Sequence, residues 1–252
     1  MTTSFTVIIP SRYGSTRLPA KALLDIGGKP LVQRAWESAS ASAAQHVYIA
    51  TDHKLIADRC KEFGAHVCLT SEEHKSGTDR IAEVVDQLGL ADDSVIVNVQ
   101  GDQCDLPWQL VNQVAEMLLR HPERGMATVC EPFASEAEAR NPDNVKVTFT
   151  ATGRALSFSR EYVPVPDRAP AWGYRHVGLY AYRVGFLRKF AKMPPSPSEF
   201  RERLEQLRAL DNGCPIFVEV ACAPAGGEVN TPADLERVAT SSMDMNTTLR
   251  GR

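Results

Sequence analysis

The residues with the clearest chemical potential lie in a loop near the N-terminus, residues 11–21. An apolar, β-branched run at residues 7–9 precedes it and is typical of a buried strand. The loop carries three cations, Arg12, Arg17 and Lys21, and no acidic residue. Its Gly-Ser step lets backbone N–H groups approach a polyanion closely, and arginine and lysine hold phosphate in complementary ways. The loop therefore predicts a phosphate-binding site, and the alternative is a solvated basic surface loop.

Two further motifs supply groups that suit a phosphate and metal site. Residues 76–80, Ser-Gly-Thr-Asp-Arg, begin an amphipathic run, and the free N–H groups of a helix N-terminus favour an anion. Arg80 is unfavourable for the helix dipole there, which favours a binding role over a structural one. Asp102 follows the most strand-like run, residues 95–99, and a carboxylate at the carboxyl edge of a parallel sheet suits a metal ion. A turn-capping role for Asp102 is the alternative.

Alternating strands and helices in the first half would bring these motifs to one edge of a sheet. Apolar runs at residues 47–50, 66–69 and 95–99 predict strands, and Asp52 is predicted to cap a helix that runs to about Phe63. Strands separated by helical patterns are typical of a mostly parallel sheet flanked by helices. The sequence therefore predicts an α/β fold whose ligands bind beyond the carboxyl ends of the strands.

The second half is richer in strands. Several apolar runs there, with few helices between them, predict antiparallel strands added to the parallel sheet, as a subdomain at about residues 127–190. We expect a single domain over residues 1–240, and a homodimer, because such a half-exposed β elaboration is a common dimerisation surface. Residues 200–210 predict one helix, and the polar residues 241–252 predict a disordered tail.

Composition limits the possible function classes. The chain has 252 residues, of which 43% are hydrophobic, and a net charge of −3, which is unsuited to a general nucleic-acid binder. The sequence predicts no membrane span and no signal peptide, because it has no run of 18 apolar residues and no basic N-terminal region. Six scattered cysteines predict free thiols in a reducing cytoplasm, and the dispersed histidines predict no zinc site.

Six motifs occur in the order in which one enzyme family carries them. They are Ile-Pro-Ser-Arg-Tyr-Gly-Ser-Thr-Arg-Leu-Pro at residues 9–19, Ser-Gly-Thr-Asp-Arg at 76–80, Asn-Val-Gln-Gly-Asp at 98–102, Phe-Ser-Arg at 158–160, Arg-His-Val-Gly-Leu-Tyr-Ala-Tyr-Arg at 175–183 and Leu-Glu-Gln-Leu-Arg at 204–208. On these motifs the chain resembles the 3-deoxy-manno-octulosonate (Kdo) cytidylyltransferase family. The resemblance implies a Rossmann-like α/β fold with a β-rich dimerisation subdomain. It also implies transfer of CMP from CTP to the anomeric hydroxyl of an eight-carbon sugar acid, with Mg²⁺ and release of pyrophosphate, in the activation of a lipopolysaccharide or related glycan precursor.

The resemblance also implies a role for particular residues. Catalytic positions match Arg12, Lys21 and Asp102. Nucleotide-binding positions match Arg12, Ser15, Arg17, Lys21, Ser76, Arg80 and Gln100, acceptor-binding positions match Arg160, His176, Glu205 and Gln206, and metal-binding positions match Asp102 and Asn230. Attack on an α-phosphate gathers negative charge, so catalysis of this transfer needs mainly positioning and cations.

The chain departs from the family pattern at three places. Gln103 and Cys104 replace a Glu-Pro pair, Asn230 replaces the second metal-binding aspartate, and Glu161 and Tyr162 replace small, proline-containing residues near the acceptor pocket. Asn230 removes one charge from the metal site, whereas Glu161 adds one near the acceptor. Two alternatives stay open: transfer to a different acidic acceptor, such as an amino-substituted octulosonate or a phosphonate, and a non-catalytic nucleotide-binding relative.

Overall fold

The computed structural model describes residues 4–14, 18, 20–162, 170–228 and 234. The predicted tail, residues 241–252, lies outside them. The strands are β1 (Phe5–Pro10), β2 (Asp25–Ile26), β3 (Lys29–Pro30), β4 (His46–Thr51), β5 (His66–Leu69), β6 (Val95–Asn98), β7 (Gln103–Cys104), β8 (Met126–Pro132), β9 (Lys146–Phe149), β10 (Ala155–Ser159), β11 (Tyr174–Arg183), β12 (Ile216–Val220) and β13 (Gly227–Glu228). The α-helices are α1 (Leu31–Ser40), α2 (Lys54–Glu62), α3 (Gly77–Gln87), α4 (Trp108–Leu119), α5 (Glu136–Arg140), α6 (Val184–Lys192), α7 (Pro197–Glu202) and α8 (Leu207–Asp211).

A nine-stranded sheet forms the centre of the described structure. Its main order is β10-β9-β11-β6-β1-β4-β5, and β8 pairs with both β11 and β12. Strands β6, β1, β4 and β5 run parallel, and β11 joins them antiparallel beside β6. The β9–β10 hairpin continues the sheet from β11 to its edge. The predicted α/β, Rossmann-like fold is therefore confirmed, with antiparallel strands added to a parallel core.

The two central strands of the parallel core, β1 and β6, are buried on both faces. In β1, Val7 and Ile9 belong to a buried cluster that includes residues of α1, α2 and α4. Ile8, on the opposite face, belongs to a second cluster with residues of α3 and α6. Successive side chains of a strand point to opposite faces, so a continuous β-branched run suits a sheet covered by helices on both sides.

The predicted capping role of Asp52 is wrong. Helix α2 begins at Lys54, and its N-cap is His53, whose Nδ1 accepts a hydrogen bond from the Leu55 N–H at 3.2 Å. The histidine satisfies one of the free N–H groups at the helix start, as a capping side chain does. The carboxylate of Asp52 is therefore available for contacts outside the helix.

The predicted single helix at residues 200–210 is also wrong. Helix α7 ends before Arg203, which adopts a left-handed backbone conformation with φ of 55°, and α8 begins at Leu207. Both Leu204 and Leu207 are buried in the same apolar cluster, so the leucine pattern continues across the break. Helices α5 and α6 were not predicted from the sequence.

The helices and the cysteines of the described structure bear on two further predictions. None of the helices in the described part of the chain combines the length and the apolar character that a membrane span needs. All six cysteines are free thiols, as the scattered pattern predicted.

Candidate active site

A cavity of about 380 Å³ lies beyond the carboxyl ends of β1 and β6, beside the N-terminus of α3. Six of the predicted site residues line it: Arg12, Lys21, Ser76, Arg80, Gln100 and Asp102. The parallel pairing of β1 with β6 brings the loops that follow these strands together, although the loops lie far apart in the sequence. Ser15 and Arg17 lie outside the described residues.

The cavity is strongly basic. Arg12, Lys21, Lys75 and Arg80 contribute four cations, and Asp102 is the one carboxylate among the described lining residues. Such a concentration of cations in a concave surface attracts a polyanion of several charges. The start of α3 adds the partial positive charge of a helix N-terminus.

The basic loop and the turn after β6 meet in an ion pair. The Nζ of Lys21 lies 2.7 Å from Oδ2 of Asp102, and the two side chains are 15% and 30% exposed. The contact joins a predicted catalytic cation to the predicted metal-binding carboxylate across 81 positions of sequence.

A glycine permits the close approach of these two segments. A Cβ atom on Gly101 would lie 2.8 Å from the carbonyl oxygen of Pro10 and would collide with the Ser11 hydroxyl. Any larger residue at position 101 would therefore push the turn that carries Asp102 away from the loop that follows β1.

The start of α3 is held by a capping box. The Ser76 hydroxyl accepts a hydrogen bond from the Asp79 N–H at 3.1 Å, and the Asp79 carboxylate accepts one from the Ser76 N–H at 3.2 Å. This reciprocal pair fixes the helix N-terminus at the cavity wall. The predicted helix start at residues 76–80 is confirmed.

Arg80 lines the cavity and is 2% exposed. Its Nη2 lies 2.8 Å from Oδ2 of Asp52, and its Nη1 donates to the Ser71 carbonyl at 3.2 Å and to the Thr70 hydroxyl. Arg80 therefore lines the cavity, and its guanidinium also makes structural contacts that the sequence did not predict.

The substitutions at residues 103 and 104 lie behind the site. Gln103 and Cys104 form β7, which pairs with β13, and they are 3% and 1% exposed. Burial, reinforced by the charge of Asp105, raises the pKa of the Cys104 thiol to about 12, so it is an unreactive packing residue. Asn230, which follows β13 by two residues, lies outside the described residues.

The predicted acceptor residues do not line this cavity. His176 lies on β11 with its Nε2 3.0 Å from the Thr128 hydroxyl and its ring edge-on to Phe158. The Thr128 hydroxyl donates its hydrogen to the Leu179 carbonyl at 2.7 Å. We therefore assign a hydrogen to Nε2 of His176, which donates it to the Thr128 oxygen. Burial, with the charge of Arg175, lowers the pKa of His176 to about 3, so the imidazole is neutral.

Glu205 links the acceptor residues to the cavity. Its Oε2 accepts a hydrogen bond from the Thr78 hydroxyl at 2.5 Å, in the first turn of α3. Burial raises the pKa of Glu205, and hydrogen bonds from Thr78 and Ser76 oppose the rise. The adjacent Gln206 is 6% exposed and lies at the N-cap of α8.

Arg160 bridges backbone segments. Its Nε donates to the Glu202 carbonyl at 2.8 Å and its Nη1 to the Pro142 carbonyl at 3.1 Å. Glu161 is exposed, and the Tyr162 ring stacks under Arg140 at 4.9 Å. Neither Glu161 nor Tyr162 lines the cavity that holds Lys21.

Some site residues were missed in the sequence. His74 and Lys75 line the cavity directly before Ser76, and the Nε2 of His74 lies 2.5 Å from the Glu83 carboxylate. Their position beside the motif at residues 76–80 was an available signal. The part played by Asp52 left no local signal, because its partner Arg80 lies 28 positions away.

The fold and the cavity together define a class of protein. An α/β sheet with a basic, helix-capped cavity at its carboxyl edge is typical of proteins that bind nucleotide phosphates.

Comparisons with known proteins agree with this class and also identify the family. A family model described as cytidylyltransferase matches residues 6–219, so the chain belongs to the cytidylyltransferase family. The 3-deoxy-manno-octulosonate cytidylyltransferase of Pseudomonas syringae pv. syringae (strain B728a) is 50% identical over 94% of this chain and 98% of its own length. The enzyme of the same name from Hahella chejuensis (strain KCTC 2396) is 46% identical over 93% and 96%. A solved structure of CMP:2-keto-3-deoxy-manno-octonic acid synthetase complexed with CTP is 37% identical, with a TM-score of 0.90 over 96% of this chain and 100% of that chain.

Proposed function

We propose that this protein transfers CMP from CTP to the anomeric hydroxyl of Kdo and releases pyrophosphate. The observation that carries the proposal is the basic cavity, in which Arg12, Lys21 and Arg80 converge on the start of α3 beside Asp102. The proposal agrees with the names of relatives that are about half identical over nearly the whole chain.

The cavity residues would act mainly by holding charge. A bond forms between the acceptor oxygen and the α-phosphorus, the bond to the bridging oxygen of pyrophosphate breaks, and the hydroxyl proton passes to solvent. Negative charge grows on the equatorial and leaving oxygens, where Arg12, Lys21 and the N–H groups at the start of α3 are suited to stabilise it. Groups fixed by the fold need no reorganisation at the moment of reaction.

Asp102 and the cavity around it suit a Mg²⁺ ion that is held jointly by the protein and the nucleotide. Asp102 already holds a cation, the Lys21 ammonium, at 2.7 Å. Among the described residues no three His, Cys, Asp or Glu side chains converge to hold a metal alone. Magnesium commonly uses one or two carboxylates together with substrate phosphates. When bound, it would neutralise developing phosphate charge.

We propose Asn230 as the second protein ligand of that ion. Glu228 pairs with Gln103, the residue after Asp102, and Asn230 follows two residues later. Two residues of chain span about 7 Å at most, so a ligand at position 230 would be within reach of a metal ion beside Asp102. Its carbonyl oxygen can ligate a hard cation without contributing a charge.

The acceptor would bind on the side of the cavity where Glu205 contacts the first turn of α3. The neutral His176 can offer Nδ1 to a sugar hydroxyl, because its Nε2 carries the hydrogen that is given to Thr128. Glu205 and Gln206 suit further hydroxyls, and Arg160 suits the carboxylate. The exposed position of Glu161 does not favour a different acceptor over Kdo.

We also propose that the protein acts as a cytoplasmic homodimer. Free thiols at all six cysteines suit a reducing compartment. The hairpin β9–β10 ends the sheet at an unpaired edge among the described strands, and a second copy would cover it.

Pyrophosphate release from CTP with Mg²⁺ tests the reaction. We would compare Kdo, its amino-substituted analogue, a phosphonate and a no-acceptor control, and the proposal expects the highest kcat/KM with Kdo. Lys21→Met under the same conditions separates catalysis from contaminating activity. Release that is equal with and without acceptor, or highest with another acceptor, contradicts the proposed reaction.

A further inference from the structure

Asp52 uses both oxygens of its carboxylate to join separate segments at the carboxyl edge of the sheet. It follows β4 directly, and its Oδ1 accepts a hydrogen bond from the Tyr13 N–H at 2.9 Å, in the basic loop. Its Oδ2 accepts one from Nη2 of Arg80 at 2.8 Å, in the first turn of α3. The ring of Tyr13 stacks on His53 at 3.9 Å, which adds a second contact between the same two loops.

The guanidinium of Arg80 extends this network to a third loop. Through Nη1 it donates to the Thr70 hydroxyl and the Ser71 carbonyl, directly after β5. The side chains of Arg80 and Asp52 are 3% and 11% exposed, so water screens the ion pair little. The loops after β1, β4 and β5 and the start of α3 are thus joined by one carboxylate and one guanidinium.

This arrangement is not explained by local structure. Asp52 does not cap α2, since His53 does, and it does not line the cavity, whereas Arg80 does. A carboxylate behind a cavity cation fixes the orientation of that cation without touching the ligand. The same carboxylate sets the backbone of Tyr13, the neighbour of Arg12.

We propose that Asp52 is a positioning residue that aligns Arg80 and the basic loop for the nucleotide phosphates. The inference rests on the proposed cytidylyl transfer. Because Asp52 acts through Arg80 and the loop, its loss should affect the CTP step and leave the acceptor step intact. Misplacement of a positioning group by about 1 Å can cost about 10²-fold in rate.

The test is a double-mutant cycle with Asp52→Asn, Arg80→Met and the combined variant. The change at Asp52 keeps the size of the side chain but presents a neutral amide to Arg80. We expect Asp52→Asn to lower kcat/KM for CTP by about 10-fold to 10²-fold with the acceptor KM within about twofold of wild type. In the Arg80→Met background the same substitution should cost less than about threefold, because coupled residues are non-additive.

Glu131→Gln is the matched control. Like Asp52, Glu131 accepts from one arginine, Arg175, and from one backbone N–H, that of Ala225, but it lies outside the nucleotide cavity. It should lower the thermal midpoint and leave kcat/KM for CTP within about twofold, measured well below the midpoint of every variant. A control that loses as much kcat/KM as Asp52→Asn would assign the effect to general stability and overturn the proposal.

Two outcomes separate this inference from the proposed reaction. If Asp52→Asn lowers kcat/KM for CTP equally in both backgrounds, or raises the acceptor KM in parallel, the positioning role is overturned. Turnover by the wild type still supports the reaction in that case. If the wild type turns over no acceptor, calorimetric titration with CTP alone decides. If Asp52→Asn weakens CTP binding in the wild-type background but not in the Arg80→Met background, the positioning role is supported although the reaction fails. If Asp52→Asn leaves CTP binding unchanged, the positioning role is overturned.

Discussion

The ammonium of Lys21 lies 2.7 Å from the carboxylate of Asp102, so the basic loop and the turn after β6 contact each other through opposite charges. Each partner orients the other at the cavity wall. A nucleotide and its metal ion would compete for the same two groups, because phosphate attracts the ammonium and the metal attracts the carboxylate. Exchange of partners between these four charges is the expected first event of binding.

Loss of a cavity cation should affect turnover far more than folding. Lys21→Met or Arg12→Ala should lower kcat by about 10²-fold to 10³-fold, the usual cost of removing one preorganised group that stabilises transition-state charge. Pyrophosphate release and urea unfolding measure the two effects. Lys54→Met, at an exposed lysine on α2 that is 82% exposed, is the control and should match wild type. Wild-type turnover by both cavity variants would show that the loop is only a surface feature.

Changes in carboxylate charge should change the metal requirement. We expect Asp102→Asn to abolish Mg²⁺-dependent turnover and to weaken Mn²⁺ binding in electron paramagnetic resonance titrations with CTP present. Asn230→Asp should lower the Mg²⁺ concentration needed for half-maximal turnover, because a hard cation prefers a carboxylate to a neutral amide oxygen. A higher requirement in Asn230→Asp would exclude residue 230 as a ligand.

The half-buried imidazole of His176, which contacts Thr128 and Phe158, should make the protein sensitive to acid. Its pKa falls to about 3 in the folded protein, against about 6.5 in the unfolded chain. Between these two pH values the unfolded state binds one proton that the folded state does not bind. The contribution of His176 to the free energy of unfolding is therefore complete above pH 6.5, and it falls by up to about 1.4 kcal/mol for each pH unit below that.

Urea unfolding at pH 7, 6 and 5 measures this contribution. His176→Gln, which keeps a hydrogen-bonding group beside Thr128, should reduce the loss of stability between pH 7 and 5 relative to wild type. His46→Gln, at an exposed histidine, should leave it unchanged. Equal pH dependence in wild type and His176→Gln would show that the imidazole charges readily in the folded state.

A homodimer should form through the β-rich half. Light scattering should give twice the mass of one chain, and Leu156→Glu should shift the population towards the monomer. Leu156 is 62% exposed on the edge strand β10, where an apolar side chain favours contact with a partner. Leu55→Glu, at an apolar side chain that is 56% exposed on α2, is the control and should not change the mass. A monomeric wild type at assay concentrations would contradict the dimer.

The elements that depend on local pattern could be predicted from the amino-acid sequence. The strand at residues 66–69 and the helix start at Ser76 were predictable, because side-chain periodicity and capping residues act within a few positions. The same local logic failed at Arg203, where the leucine period crosses a left-handed residue that ends α7. Periodicity records which face is buried, and two short helices can share one face.

The contacts between distant groups depend on the way in which the strands assemble into the sheet. The contacts of Lys21 with Asp102 and of Asp52 with Arg80 cross 81 and 28 positions, and they exist because parallel strands bring their carboxyl ends to one edge. The neutral state of His176 likewise depends on burial against Thr128 and Phe158, which no nearby residue encodes. Charge partners and burial are properties of three-dimensional packing, so the sequence could nominate these side chains but could not assign their partners.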